Sequence, residues 1–104
     1  MRNKYNAKKV KLEGYTFDSK AEARRYGELK LLLKAKKISD IAVHPVLGIY
    51  VNDKKICNYV ADFSYQENGI EVFEDVKGIR TSTYVLKKKL VKAIYGIEIR
   101  EIRA

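Results

Sequence analysis

The chain contains one cysteine, one proline, one histidine and one methionine, and no tryptophan. A single cysteine, Cys57, excludes an internal disulfide and any zinc site built on several cysteines. By alternation Cys57 joins Tyr59, Ala61 and Phe63 on one strand face, the setting of a buried, inert thiol rather than a nucleophile. A single histidine, His44, excludes a histidine-rich metal site. Because it sits in the strand-like context Val43-His44-Pro45, an edge-strand or nucleic-acid-contact role is assigned to it in preference to a catalytic triad. No apolar run approaches the ~20 residues of a membrane-spanning helix, and the opening Met1-Arg2-Asn3-Lys4-Tyr5-Asn6 lacks the apolar stretch of a signal peptide. A cytoplasmic protein without a membrane partner is expected. Negative charge is also scarce: 13 Asp and Glu stand against 22 Lys and Arg, a formal charge of +9. That is the electrostatic footprint of a protein that meets polyanions, and DNA is the expected partner.

A length of 104 residues suits one domain with one sheet and a few helices. Lys4 to Lys9 reads as an extended basic arm whose Lys8 and Lys9 could touch phosphates. Val10-Lys11-Leu12 and Tyr15-Thr16-Phe17, around Glu13-Gly14, suggest a short hairpin. The spacing of Ala21, Tyr26, Leu29, Leu32 and Leu33 predicts a helix over 19–36, capped by Asp18 or Ser19, with Arg24, Arg25, Lys30 and Lys34 largely off the apolar stripe. A strand over 41–51 carries Pro45 at an edge or bulge, and strands over 56–65 and 70–77 follow. Thr81-Ser82 opens a second helix that reaches Tyr95, buries Leu86, Leu90, Ala93 and Ile94, and closes at Gly96. The alternating segment 97–102 is a last strand. The expected fold is α/β, of order αβββαβ, with a mixed central sheet flanked by two helices.

Asn68-Gly69 is a strong signal for a type I′ hairpin, and that turn places Asp62 directly opposite Asp75. The pair falls at a non-hydrogen-bonded position, with Cβ atoms roughly 4.5–5.5 Å apart. Like charges at that distance repel, and a divalent cation with a taste for oxygen, Mg²⁺ or Mn²⁺, would relieve them. Lys77 follows Asp75 by the strand period and points to the same face. A cross-strand ion cluster is the plainer account of the three. Glu74 alternates away from Asp75 and is not counted as a ligand. Glu22 ends the apolar stripe of the first helix, facing the sheet, and can serve as a third carboxylate. It also completes the capping box Ser19-x-x-Glu22. Lys87 lies at the edge of the buried arc of the second helix and could reach the site or keep its ammonium at the surface. Lys88, Lys89 and Lys92 form a solvated, phosphate-facing surface, and Thr81 and Ser82 can cap the second helix or donate to a phosphate.

The element order, the inward Glu22, Asp62 in Ala61-Asp62-Phe63, and Asp75-Val76-Lys77 together resemble the PD-(D/E)XK nuclease superfamily, whose core is the restriction-endonuclease-like fold. Within it the chain is most similar to small phage-encoded endonuclease-like proteins and Holliday junction resolvases. The resemblance spans roughly residues 17–102, with Ala61 where the motif's name has proline. It implies a Mg²⁺- or Mn²⁺-dependent endonuclease, with Asp62, Asp75 and Glu22 at the metal and Lys77 assisting the attacking water, by orienting or by deprotonating it. A homodimer would let two sites address two strands. A non-catalytic nucleic-acid-binding module with the same fold remains the alternative.

Overall fold

The computed structural model describes residues 9–104. Its elements run β1 (Val10–Leu12), β2 (Tyr15–Phe17), α1 (Lys20–Lys34), β3 (Ser39–Val43), β4 (Val46–Val51), β5 (Lys54–Val60), β6 (Phe63–Glu67), β7 (Ile70–Lys77), α2 (Ser82–Tyr95) and β8 (Arg100–Arg103). Of the expected basic arm, Lys9 is exposed and Lys8 lies outside the described residues.

Three tight turns organise the strands. Glu13-Gly14, Asn52-Asp53 and Asn68-Gly69 each hold both central residues at positive φ, the backbone twist that matches paired strands. The last of these sets β6 against β7 in the expected register, from Glu67 opposite Ile70 to Phe63 opposite Glu74. A four-stranded sheet has the order β3-β6-β7-β8, antiparallel except for the parallel pair β7 and β8. That parallel pair needs a crossover, which α2 supplies. The α2 helix begins at its Thr81 N-cap and ends at Gly96, whose φ of 71° is the left-handed stop that glycine favours.

The strands expected over 41–51 and 56–65 are each broken in the middle. Pro45 has no N–H to give a ladder and His44 sits at φ 55°, so the chain turns there. Opposite it, Ala61 and Asp62 leave the strand conformation. Pairing nevertheless continues through the bend: the His44 N–H donates to the Asp62 carbonyl and the Ala61 N–H to the Pro45 carbonyl, both at 3.0 Å. One long hairpin is thus folded over itself. Its lower half, β3 and β6, belongs to the sheet, and its upper half, β4 and β5, forms a separate ribbon against α2.

Alternation along β7 divides the core into two layers. Val72 and Val76 pack with Phe17, Tyr26, Leu29, Phe63 and Tyr65 on the α1 side. Phe73 packs with Ile49, Tyr59, Tyr84, Val91 and Ile99 on the α2 side. The buried arc of α2 differs from the expected one: Tyr84 and Val91 face inward, whereas Leu86 is 58% and Ile94 40% exposed. Between Tyr84 and Val91 on the same line stands Lys88, whose ammonium reaches Glu101 at 3.2 Å. The Tyr84 hydroxyl donates to the same Glu101 at 2.8 Å, so the large ring is buried with its polar end satisfied, and Lys88 keeps its ammonium at the border of the core. Pairing of β8 begins at Arg100 rather than Ile97, because Ile97 and Ile99 are used to pack against α2. Among the described residues no helix is long and apolar enough to cross a membrane.

The α1 layer also contains a fully buried carboxylate, Glu74. Arg25, expected largely off the stripe, turns to it and donates from Nε at 2.7 Å and from a terminal nitrogen at 3.0 Å, while the Tyr65 hydroxyl donates at 2.6 Å. Removing the guanidinium would leave a buried charge uncompensated. Arg25→Ala should therefore destabilise the fold by about 3–5 kcal/mol, and Glu74→Gln by less. Urea unfolding followed by circular dichroism measures both, and equal small losses would show that the pair is not what holds α1 to the sheet.

Candidate functional site

The bend in the long hairpin creates the site. Had the ladder between β6 and β7 continued past Phe63 and Glu74, its next bond from β7 would run from the Val76 N–H to the Ala61 carbonyl. Because the chain has turned away at Ala61, the Asp62 carboxylate replaces that carbonyl and accepts from Val76 N–H at 2.7 Å. In return the Asp62 N–H donates to Asp75 Oδ1 at 2.9 Å. Asp62 and Asp75 are thus locked together through each other's strand.

Glu22 approaches from the first turn of α1. Ser19 Oγ accepts from the Glu22 N–H at 3.1 Å, and Glu22 Oε2 accepts from the Asp18 N–H at 3.2 Å. This capping arrangement leaves Oε1 directed at His44 Nε2, 2.7 Å away. Capping and an inward carboxylate are therefore the same residue's two ends. Glu22, Asp62 and the ribbon of residues Val76-Lys77-Gly78, with Thr81 at the start of α2, border an open cleft of about 390 Å³.

Burial works against the negative charge of all three acids. Glu22 is raised by burial and then by the charge of Asp62, in spite of its bonds to His44 and Asp18. Burial raises Asp62 against the opposing pull of the Val76 N–H, Lys77 and His44. Asp75, 1% exposed, is pushed up to about 6 by burial, with Lys77 and the Asp62 N–H pulling the other way. Its Oδ2 is buried without a hydrogen-bond partner among the described residues, an exception to the rule that buried polar atoms are paired. One oxygen each from Glu22 and Asp62 and a ring nitrogen of His44 lie within 4.8 Å of one another, close enough to share a cation. This donor set fits a divalent metal. It differs from the expected one: Asp75 stands outside the cluster, joined to it through the Asp62 peptide, and His44 stands inside.

His44 is the residue that sequence reasoning placed elsewhere. Starting from the Asn52-Asp53 turn, regular pairing would set His44 against Ala61. A bulge intervenes: Tyr50 pairs with Lys55 but Ile49 with Cys57, so Ile56 is an extra residue and His44 moves opposite Asp62. The break Val43-His44-Pro45 was the available signal, and the bulge was not visible.

The remaining predicted residues are distributed around the cleft. Lys77 holds its ammonium 4.1 Å from the centre of the Tyr84 ring and lines the cleft. Thr81 caps α2, accepting from the Tyr84 N–H at 3.1 Å, and Ser82 is the first helical residue. Lys87 does not reach the site; it donates to the Asn58 carbonyl at 2.9 Å, on the ribbon. Lys88, Lys89 and Lys92, with Arg80, border a second groove of about 270 Å³ along α2. Lys88 and Arg80 both meet Glu101 at 3.2 Å and Lys92 lies 3.5 Å from Glu98. Lys89 is exposed and has no ion-pair partner among the described residues.

The sequence profile of a family described as "Protein of unknown function (DUF1064)" matches residues 2–103, and the chain belongs to that family. No curated protein matches it.

Asp75 makes a test of the site's electrostatics. Its folded-state affinity for a proton exceeds that of the unfolded chain, so stability is lost as pH rises from about 4 to about 6 and stays lost above. In divalent-free buffer Asp75→Asn should be more stable than wild type at pH 7.5, on the order of 2 kcal/mol, and the difference should close towards pH 4. Urea midpoints at the two pH values measure it. A variant less stable than wild type at both would show that the charge is compensated.

Proposed function

We propose that this member of the DUF1064 family is a divalent-metal-dependent nuclease of the PD-(D/E)XK kind that hydrolyses DNA phosphodiester bonds in the cleft between the starts of α1 and α2. The observation that supports it is the convergence of Glu22, Asp62, Asp75 and Lys77 at the bent end of the sheet. Three carboxylates whose ionisation burial opposes are a cost to the fold, and groups perturbed in that way inside a cleft belong to chemistry more often than to structure. The order of one helix, three strands, a second helix and a parallel strand, counting each bent strand as one, supports the reading because it agrees with the order αβββαβ expected from the resemblance.

Glu22 and Asp62 would hold the ion, and Asp75 fixes Asp62 by accepting its N–H. When bound, a Mg²⁺ or Mn²⁺ ion supplies Lewis-acid stabilisation of the charge that builds on the phosphate oxygens. Lys77, steadied over the Tyr84 ring, faces the same cleft and orients the attacking water or offsets the developing negative charge. Thr81 and the first turn of α2 present hydroxyl and N–H donors to the phosphate from the other wall. The duplex backbone would continue along Arg80, Lys88, Lys89 and Lys92, interactions that position DNA without reading its bases.

Cleavage of supercoiled plasmid, nicked, flapped and four-way substrates in Mg²⁺ or Mn²⁺ tests the proposal. Asp62→Asn and Lys77→Ala should each lower the rate by about 10²-fold or more with little loss of DNA affinity. Binding by wild type without cleavage of any substrate in either ion would favour a non-catalytic DNA-binding module. Neutralising Lys88, Lys89 and Lys92 together should leave cleavage chemistry intact at saturating DNA and flatten the salt dependence of binding by about one unit for each phosphate that is no longer neutralised. A binding curve insensitive to salt would remove the electrostatic part of the proposal.

A further inference from the structure

We propose that His44 is itself a metal ligand, and that its imidazole makes the site prefer an ion that accepts nitrogen, Zn²⁺ above Mn²⁺, to Mg²⁺. The inference deepens the metal-dependent reading above and rests on the same two carboxylates. Its basis is the way each donor is prepared. Glu22 has Oε2 tied to the Asp18 N–H, leaving Oε1, the oxygen 2.7 Å from His44 Nε2. Asp62 has Oδ2 tied to the Val76 N–H, leaving Oδ1. His44 is held from its backbone side by the bond from its N–H to the Asp62 carbonyl, and its ring lies against Phe17 with centroids 6.1 Å apart. Each of the three residues thus turns one ligand atom towards the others, Glu22 Oε1 and His44 Nε2 sharing a hydrogen bond that a cation would replace, while their remaining bonds fix its direction, the arrangement that outer hydrogen bonds give to ligands at metal centres.

The backbone supports the same conclusion. Histidine at φ 55° immediately before a proline is an uncommon and costly conformation, kept only where the surroundings enforce it. The bulge at Ile56 that brings His44 opposite Asp62 is likewise a departure from regular pairing. Both distortions have one effect in common, which is to bring an imidazole nitrogen to two carboxylates. A site needing oxygen ligands alone would require neither. Behind the cluster, the buried Asp75 leaves Oδ2 without a partner among the described residues.

Imidazole nitrogen suits Mn²⁺ weakly and Zn²⁺ strongly, whereas Mg²⁺ prefers oxygen and dehydrates reluctantly. Mg²⁺ would engage Glu22 and Asp62 and leave the ring alone. The chain's only histidine makes this directly observable, since the ¹⁵N imidazole resonances of the protein belong to one residue. Titrating Zn²⁺ into the full chain should shift the His44 Nε2 resonance with saturation at one equivalent, Mn²⁺ should broaden it, and Mg²⁺ should leave it in place. Glu22→Gln and Asp62→Asn should each abolish the saturable Zn²⁺ shift, which separates a built site from a lone surface imidazole. By calorimetry His44→Gly, a replacement that accepts positive φ, should lower Zn²⁺ affinity about tenfold or more while leaving Mg²⁺ affinity unchanged. His44→Asn, which also tolerates that conformation, provides a second variant if the first fails to fold. Zn²⁺ that binds without moving Nε2, or His44 variants with full Zn²⁺ affinity, would overturn the ligand assignment and leave the carboxylate site and the nuclease proposal standing. A folded wild type that binds none of the three ions would overturn both.

Discussion

Two hydrogen bonds at the end of one strand pair support the arrangement of the cleft: Val76 N–H to the Asp62 carboxylate and Asp62 N–H to the Asp75 carboxylate. At the point where the long hairpin bends away, β7 would otherwise be left with an unanswered N–H inside the protein, and the loss of one such bond costs about as much as the bond is worth. An aspartate on each strand solves the problem reciprocally. The bend can then be sharp, the ribbon of β4 and β5 can swing over to α2, and the gap between α1 and α2 stays open as a cleft. Of the two aspartates that repair the sheet, Asp62 also lines the cleft, and Asp75 lies buried behind it.

The two faces of β7 treat buried carboxylates in opposite ways. On the α1 side Glu74 is answered completely by Arg25 and Tyr65, and it serves to fasten a helix to a sheet. One residue later Asp75 has a single donor and an orphaned oxygen. Equal burial with unequal compensation separates a structural ion pair from a site prepared for a further positive charge. The basic groove along α2 adds a third environment, where Lys88, Arg80 and Lys92 are partly offset by Glu101 and Glu98 while Lys89 stays exposed. Negative charge is thus gathered in the cleft, and positive charge lies along a separate groove on α2.

Local chemistry was legible wherever a few adjacent residues decided it. Asn68-Gly69 set the hairpin and its register, Ser19 and Thr81 opened the helices, and Gly96 closed the second one, because turn and cap preferences act over three or four residues. Glu22 at the end of an apolar stripe was correctly turned towards the sheet, since helical spacing determines direction. Periodicity served less well on α2, where counting leucine and isoleucine put Leu86 and Ile94 inside. Tyr84 took that place, its hydroxyl donating to Glu101 at 2.8 Å, an interaction between residues on different elements.

The order of amino acids was enough to establish the α/β class, the approximate helix limits, the excess of positive charge and the register of β6 on β7, although Asp62, expected to pair directly with Asp75, leaves the strand. Each of these follows from composition or from interactions within a turn or a hairpin. Long-range packing was needed to establish that the two long strands break at His44-Pro45 and Ala61-Asp62, that Arg25 pairs with Glu74, and that His44 rather than Asp75 joins Glu22 and Asp62 within reach of one cation. For His44 the reason is one extra residue, Ile56, whose bulge shifts the register by a single position. That shift reassigns the partners from Ile49 to Ala42, until a second irregularity between Ala42 and Ser39 cancels it, and the ribbon that carries it packs on α2 through residues far apart in the chain.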